Sequence, residues 1–95
     1  MDYKNFTERR ERFREVLTGT ECIYPAPVFD SLSARIADHL GFEIAWMGQM
    51  PAESAELGVP PHDLLALLTL PELAERVRHI SRAGNLSLLV EAHNG

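Results

Sequence analysis

The sequence predicts an α/β fold in which parallel strands alternate with amphipathic helices, in the order helix, strand, helix, strand, helix, strand. Three observations lead there. Short apolar segments stand at 22–24, 42–47 and 86–91. Helical periodicity fills the intervals between them. Gly19, Gly41 and Gly84 stand where the helices should end. Parallel neighbours need a crossover, which is almost always right-handed, so the strand ends gather on one rim near Tyr24, Met47 and Glu91.

The first helix is expected over 7–17, with Phe6, Phe13, Val16 and Leu17 as a narrow apolar stripe. Its basic residues Arg9, Arg10, Arg12 and Arg14 interleave with Glu8, Glu11 and Glu15, which reads as a solvated face. A short strand follows over Cys22–Tyr24, because Pro25 and Pro27 lack the N–H that a long central strand requires. Cys22 reads there as a small buried hydrophobe.

Asp30 or Ser31 caps the next helix, in which Leu32, Ile36, Ala37 and Leu40 recur at helical spacing. Phe42–Met47 is apolar on both faces, as a buried parallel strand should be. Gly48–Pro51 reads as a turn, Ala52–Leu57 as one or two helical turns, and Gly58–Asp63 as a loop. Thr69 and Glu72 form a capping box with Pro71 in the first turn. The stripe of that helix is Leu70, Leu73, Ala74, Val77 and Ile80, and Leu86–Glu91 is the third strand.

Composition narrows the function classes. The chain has 95 residues, 45% of them hydrophobic and 24% charged, an ordinary globular mixture. A net charge of −5 makes a poor electrostatic partner for nucleic acid or an anionic membrane. The single cysteine cannot form an internal disulfide, and no Cys/His spacing marks a zinc fold. The polar start and the short apolar runs, 64–68 and 88–90, point to a cytoplasmic protein.

Three parallel strands make an awkward domain, with two edges and two faces to cover. The expectation is therefore a fragment of a larger α/β domain. Alone, it should be no stable monomeric enzyme, since Ile23, Ile44, Trp46, Leu88 and Val90 would lack full cover.

A set of motifs in order sharpens this. Phe29-Asp30-Ser31-Leu32-Ser33-Ala34-Arg35-Ile36-Ala37 is followed by Gly41-Phe42-Glu43, Leu57-Gly58-Val59-Pro60, Leu68-Thr69-Leu70-Pro71-Glu72 and Leu88-Leu89-Val90-Glu91-Ala92-His93-Asn94-Gly95. The series resembles the isocitrate lyase/phosphoenolpyruvate mutase superfamily, most closely its oxaloacetate decarboxylase branch, with the methylisocitrate lyase branch second. The resemblance implies that residues 1–95 are the first three βα units of a (β/α)8 TIM barrel, the N-terminal portion of one domain. It implies a carbon–carbon lyase or decarboxylase acting on a small 2-oxo or 2-hydroxy carboxylate with Mg2+. It also implies a full-length parent that is a homo-oligomer.

The family's carboxylate-cradling turn falls on Gly48, Gln49 and Met50, where Met50 is a bulky replacement with little capacity for hydrogen bonding. The two family aspartates at the end of the third strand fall on Glu91 and His93, and a loop aspartate on Asp63. Residues 91 and 93 point to one face of a strand. Glutamate remains a hard oxygen donor, whereas imidazole suits Mn2+ or Zn2+ better than Mg2+. His39 and His79 read as solvent-exposed helix residues. No nucleophile–histidine set and no phosphate loop is visible. The catalytic residues are not identified. Two other readings stay open: a non-catalytic truncated or divergent relative, and a small α/β binding module.

Overall fold

A computed structural model describes residues 4–60 and 68–92. The element order is α1 (Phe6–Thr18), β1 (Ala26–Pro27), α2 (Ser31–His39), β2 (Ile44–Met47), α3 (Gln49–Leu57), α4 (Leu70–Arg82) and β3 (Ser87–Val90). The described strands form one parallel sheet in the order β1-β2-β3. Its register pairs Pro27 with Trp46, Trp46 with Leu89 and Met47 with Val90. The sequence thus predicted the parallel α/β arrangement, and the sheet is not closed into a barrel.

The caps explain why the helices start where they do. Asn5, Asp30 and Thr69 each accept a hydrogen bond from the N–H three residues on, and each forms a capping box, with Glu8, Ser33 and Glu72 respectively. In α2 the Ser33 hydroxyl also accepts from the Phe29 and Asp30 N–H groups, at 3.0 and 3.1 Å, which fixes the turn leaving β1. Gly41, at φ 94°, takes the left-handed conformation after α2 that a side chain would disfavour.

Several expectations need correction. The first strand is Ala26–Pro27 and not Cys22–Tyr24, and Cys22 is exposed in irregular chain. Proline is tolerated because β1 is bonded on one side only among the described residues. Val28 N–H donates to the Trp46 carbonyl at 2.9 Å, so the preceding nitrogen, that of Pro27, faces the other edge, where no donor is used. The second and third strands are shorter than expected, Ile44–Met47 and Ser87–Val90. Ile44 is buried, while Trp46 and Val90 are exposed.

The core lies between the sheet and the helices. Ala26, Val28, Ala45 and Met47 from the strands meet Ala34, Ala37, Ala52, Leu73 and Ile80 from the helices, with Leu68 and Leu86 closing the ends. The predicted helical stripes are buried only in part. Leu32, Ile36 and Leu40 are exposed, as are Phe6, Leu17 and Leu70. Small residues, Ala34 and Ala37, are buried on α2 in their place.

Arg9 also departs from the solvated face assigned to it. It is 7% exposed, and its guanidinium donates to the Ser81 carbonyl at 2.6 Å and the Lys4 carbonyl at 3.3 Å. The Ser87 hydroxyl donates back to the Arg9 carbonyl at 3.1 Å. A guanidinium suits this position, because the last carbonyls of α4 have no helical partner and carry the negative end of the helix dipole. Burial lowers the Arg9 pKa from its ordinary value, an effect opposed by Asp38. Arg9 thereby fastens α1 to the end of α4 and the start of β3. Arg12 does stay at the surface, paired with Glu15 and Glu43.

Candidate functional site

The carboxyl ends of parallel strands are where α/β folds place their ligands. Here β2 runs through Gly48 directly into α3, and β3 runs into Glu91. The expected Gly48–Pro51 turn is replaced by an immediate helix start at Gln49. Pro51 allows this because a first-turn residue needs no N–H. The helix start therefore offers backbone donors from Gly48, Gln49 and Met50 only.

Gly48 provides no side-chain cap for α3. The cap comes from across the sheet: Glu91 Oε1 accepts from the Gln49 N–H at 3.2 Å. A carboxylate is favoured there by the positive end of the helix dipole. So the structure brings together two of the positions predicted from sequence, Gln49 and Glu91, 42 residues apart in the chain.

Gly48 is needed for space and not for its backbone angle. A Cβ added there would lie 3.2 Å from Pro51 Cδ and 3.4 Å from Trp46 Nε1. By strand alternation, and by the pairing of Trp46 with Leu89, the residues Trp46, Gly48 and Glu91 share the sheet face opposite Ala45 and Met47. Gln49 is 2% exposed, and its Oε1 has no hydrogen-bond partner among the described residues. Met50 is half-buried. Asp63 and His93 lie outside the described residues.

Sequence reasoning missed two neighbours. Trp46 lies in a segment whose apolar pattern predicts a buried strand, but is 39% exposed with its indole N–H beside Gly48. Glu53 is 2% exposed on α3, one helical turn after Gln49. The i, i+4 spacing of 49 and 53 was the available signal, since it puts both polar residues on one helix face. Arg76 ties this region together from behind, donating to the Phe29 carbonyl at 2.7 Å and pairing with Glu56. His79, expected to face solvent, is half-buried and pairs with Glu75 at 3.0 Å.

No group of three His, Cys, Asp or Glu residues able to hold a metal is found among the described residues. Glu91 fits a hard divalent cation as a single oxygen donor; Mg2+ takes six oxygen ligands, so the rest of its shell would come from elsewhere. No described helix is long and apolar enough to cross a membrane.

No family model matches the sequence. Individual proteins do. The chain is 48% identical over 90 residues to an oxaloacetate decarboxylase of Bradyrhizobium sp., covering 95% of this chain and 30% of that protein. It is 51% identical over 87 residues to an oxaloacetate decarboxylase of Rhodopseudomonas palustris, covering 92% of this chain and 29% of that one. A third, from Bradyrhizobium diazoefficiens, is 46% identical over 90 residues. The chain is thus similar along nearly its whole length to proteins named oxaloacetate decarboxylase, and spans about 30% of their length.

Proposed function

We propose that this chain supplies the opening three βα units of an oxaloacetate decarboxylase-like lyase with a (β/α)8 barrel, within the isocitrate lyase/phosphoenolpyruvate mutase superfamily. The observation that carries the reading is the Glu91 carboxylate at the start of α3, at the carboxyl end of a parallel sheet. The similarity to oxaloacetate decarboxylases supports it.

In this reading the Gly48–Gln49–Met50 segment binds a carboxylate of a small 2-oxo acid through the backbone N–H groups of Gly48 and Met50, the Gln49 N–H being held by Glu91, helped by the dipole of α3. Trp46 walls the site and limits water. Glu91 holds a divalent metal together with His93 and Asp63. When bound, the metal supplies Lewis-acid stabilisation of the negative charge left as the carbon–carbon bond breaks. Glu91 in turn is oriented by its bond to Gln49, so the metal-holding and carboxylate-binding groups are mechanically linked.

The test is a chimera in which this chain replaces the matching segment of the Bradyrhizobium relative, assayed for oxaloacetate loss with Mg2+ and Mn2+. Turnover that falls at least about 100-fold in Glu91→Ala supports the reading, as expected for loss of a group that holds the metal. A folded chimera without turnover favours the non-catalytic alternative.

A further inference from the structure

At the carboxyl end of the sheet, one of the chain's own side chains stands where an anionic ligand is expected. The N–H groups at the start of a helix have no helical partner and attract negative charge. In α3 they belong to Gly48, Gln49 and Met50, because Pro51 has none. Glu91 already engages one of them, its Oε1 accepting from the Gln49 N–H at 3.2 Å. A second polar group at this corner is left unsatisfied: the Gln49 side chain is buried, and its Oε1 has no partner among the described residues. A buried polar atom without a partner marks a place that water or a ligand completes.

The Glu91 N–H donates to the Met47 carbonyl at 3.0 Å, which fixes the Glu91 backbone beside the end of β2. The side chain is long, rotatable and half-buried, so the carboxylate can leave Gln49 while the sheet stays as it is. We propose that Glu91 is an autoinhibitory occupant of the carboxylate site: it holds the Gln49 N–H until a ligand carboxylate displaces it. The proposal rests on the reading of this corner as the place where a small 2-oxo acid binds. The bond that orients Glu91 in the empty site is then the one a ligand has to replace. Two carboxylates at one N–H repel each other, and a hydrogen bond to a charged group is among the stronger ones in a protein. The resident carboxylate therefore lowers the affinity for any anionic ligand by the free energy needed to move it. A divalent cation relieves the block, since it neutralises Glu91 and competes with Gln49 for the same oxygens.

Pyruvate binding tests this in the isotope-labelled 95-residue chain, followed at the Gln49 and Met50 amide resonances with and without Mg2+. Two variants separate charge from reach. Glu91→Gln keeps the length and removes the charge. Glu91→Asp keeps the charge on a side chain one methylene shorter, which withdraws it from Gln49. Without metal, both variants should bind pyruvate at least about tenfold more tightly than the parent, within the range usual for coupling between two sites. Mg2+ should tighten pyruvate binding by a similar factor in the parent and leave it unchanged in Glu91→Gln. Variants that bind pyruvate no more tightly than the parent would overturn the proposal and leave Glu91 a structural cap only. Failure of pyruvate to bind to parent and variants alike, folded or not, would overturn it as well. Oxaloacetate turnover in the Bradyrhizobium chimera is read separately: tighter binding by the variants with an inactive chimera keeps the autoinhibitory contact and discards the lyase reading, and an active chimera with no gain in binding does the reverse.

Discussion

Glu91 and Gln49, on neighbouring strand–loop units, are joined by a 3.2 Å hydrogen bond from a helix-start N–H to a carboxylate. The bond makes Glu91 the cap of α3, a helix whose own N-cap residue, Gly48, has no side chain to offer. Removing it should loosen the helix before it affects anything else. Glu91→Ala should cost about 0.5–2 kcal/mol, the usual range for a lost cap. Hydrogen exchange should quicken at Gln49–Glu53 while α1 is unchanged. Unaltered protection in α3 would show that the cap is not used in solution.

Arg9 makes a second prediction. Its guanidinium spans the Ser81 and Lys4 carbonyls from a position that is largely buried. Arg9→Met keeps much of the aliphatic volume but leaves the Ser81 carbonyl without its donor. The expected loss is about 1–3 kcal/mol, from a part-buried acceptor left unsatisfied. Urea denaturation of the two proteins should show a lower midpoint. Arg10→Met, at an exposed position on the same helix, should change it little.

Gly84 is held by contact and not by conformation, as its φ is not positive. An added Cβ would fall 2.8 Å from Asp38 Oδ2 and 2.9 Å from Asp38 Cβ. Gly84→Ala should therefore separate α2 from α4 and cost about 1–3 kcal/mol, as overpacking does. Asp38→Ala should rescue it only partly, because the Asp38 Cβ itself is in the way. Full rescue in a thermal melt would mean that only the carboxylate clashes.

Acid should weaken the outer surface in a defined window. Glu75 is held down to about 2, first by its hydrogen bond to Arg78. Glu43 is lowered by Arg12, and Glu72 by the Thr69 hydroxyl. A carboxylate whose folded pKa lies below its unfolded value stabilises the fold above the unfolded pKa, and that contribution is lost as pH falls through the folded one. For Glu75 the window runs from its ordinary 4.5 down to about 2. These groups are exposed, so the effect should be small and fade in high salt. Melting of Glu75→Gln against the parent between those pH values checks it; the difference should vanish at the acid end.

The sequence by itself determined the alternation of parallel strands and helices, because apolar runs, glycine stops and capping boxes are local signals. Thr69 with Glu72 is readable because a capping box joins residues three apart, and the cap of α2 is readable as Asp30 or Ser31, between which the structure chooses Asp30. The Gly48–Gln49–Met50 segment and Glu91 are marked as candidates by the family resemblance and not by a local signal. Their meeting could not be read from the sequence, since 42 residues separate Gln49 from Glu91 and only strand pairing brings them together. Tertiary structure alone also decided that Arg9 is buried while its neighbours in the same charged run are not, because the carbonyl it serves belongs to Ser81. It moved the first strand to Ala26–Pro27, where pairing on one edge tolerates a missing N–H. And it left Leu32, Ile36 and Leu40 in the open, since periodicity shows that a helix has an apolar face but not whether a partner lies against it.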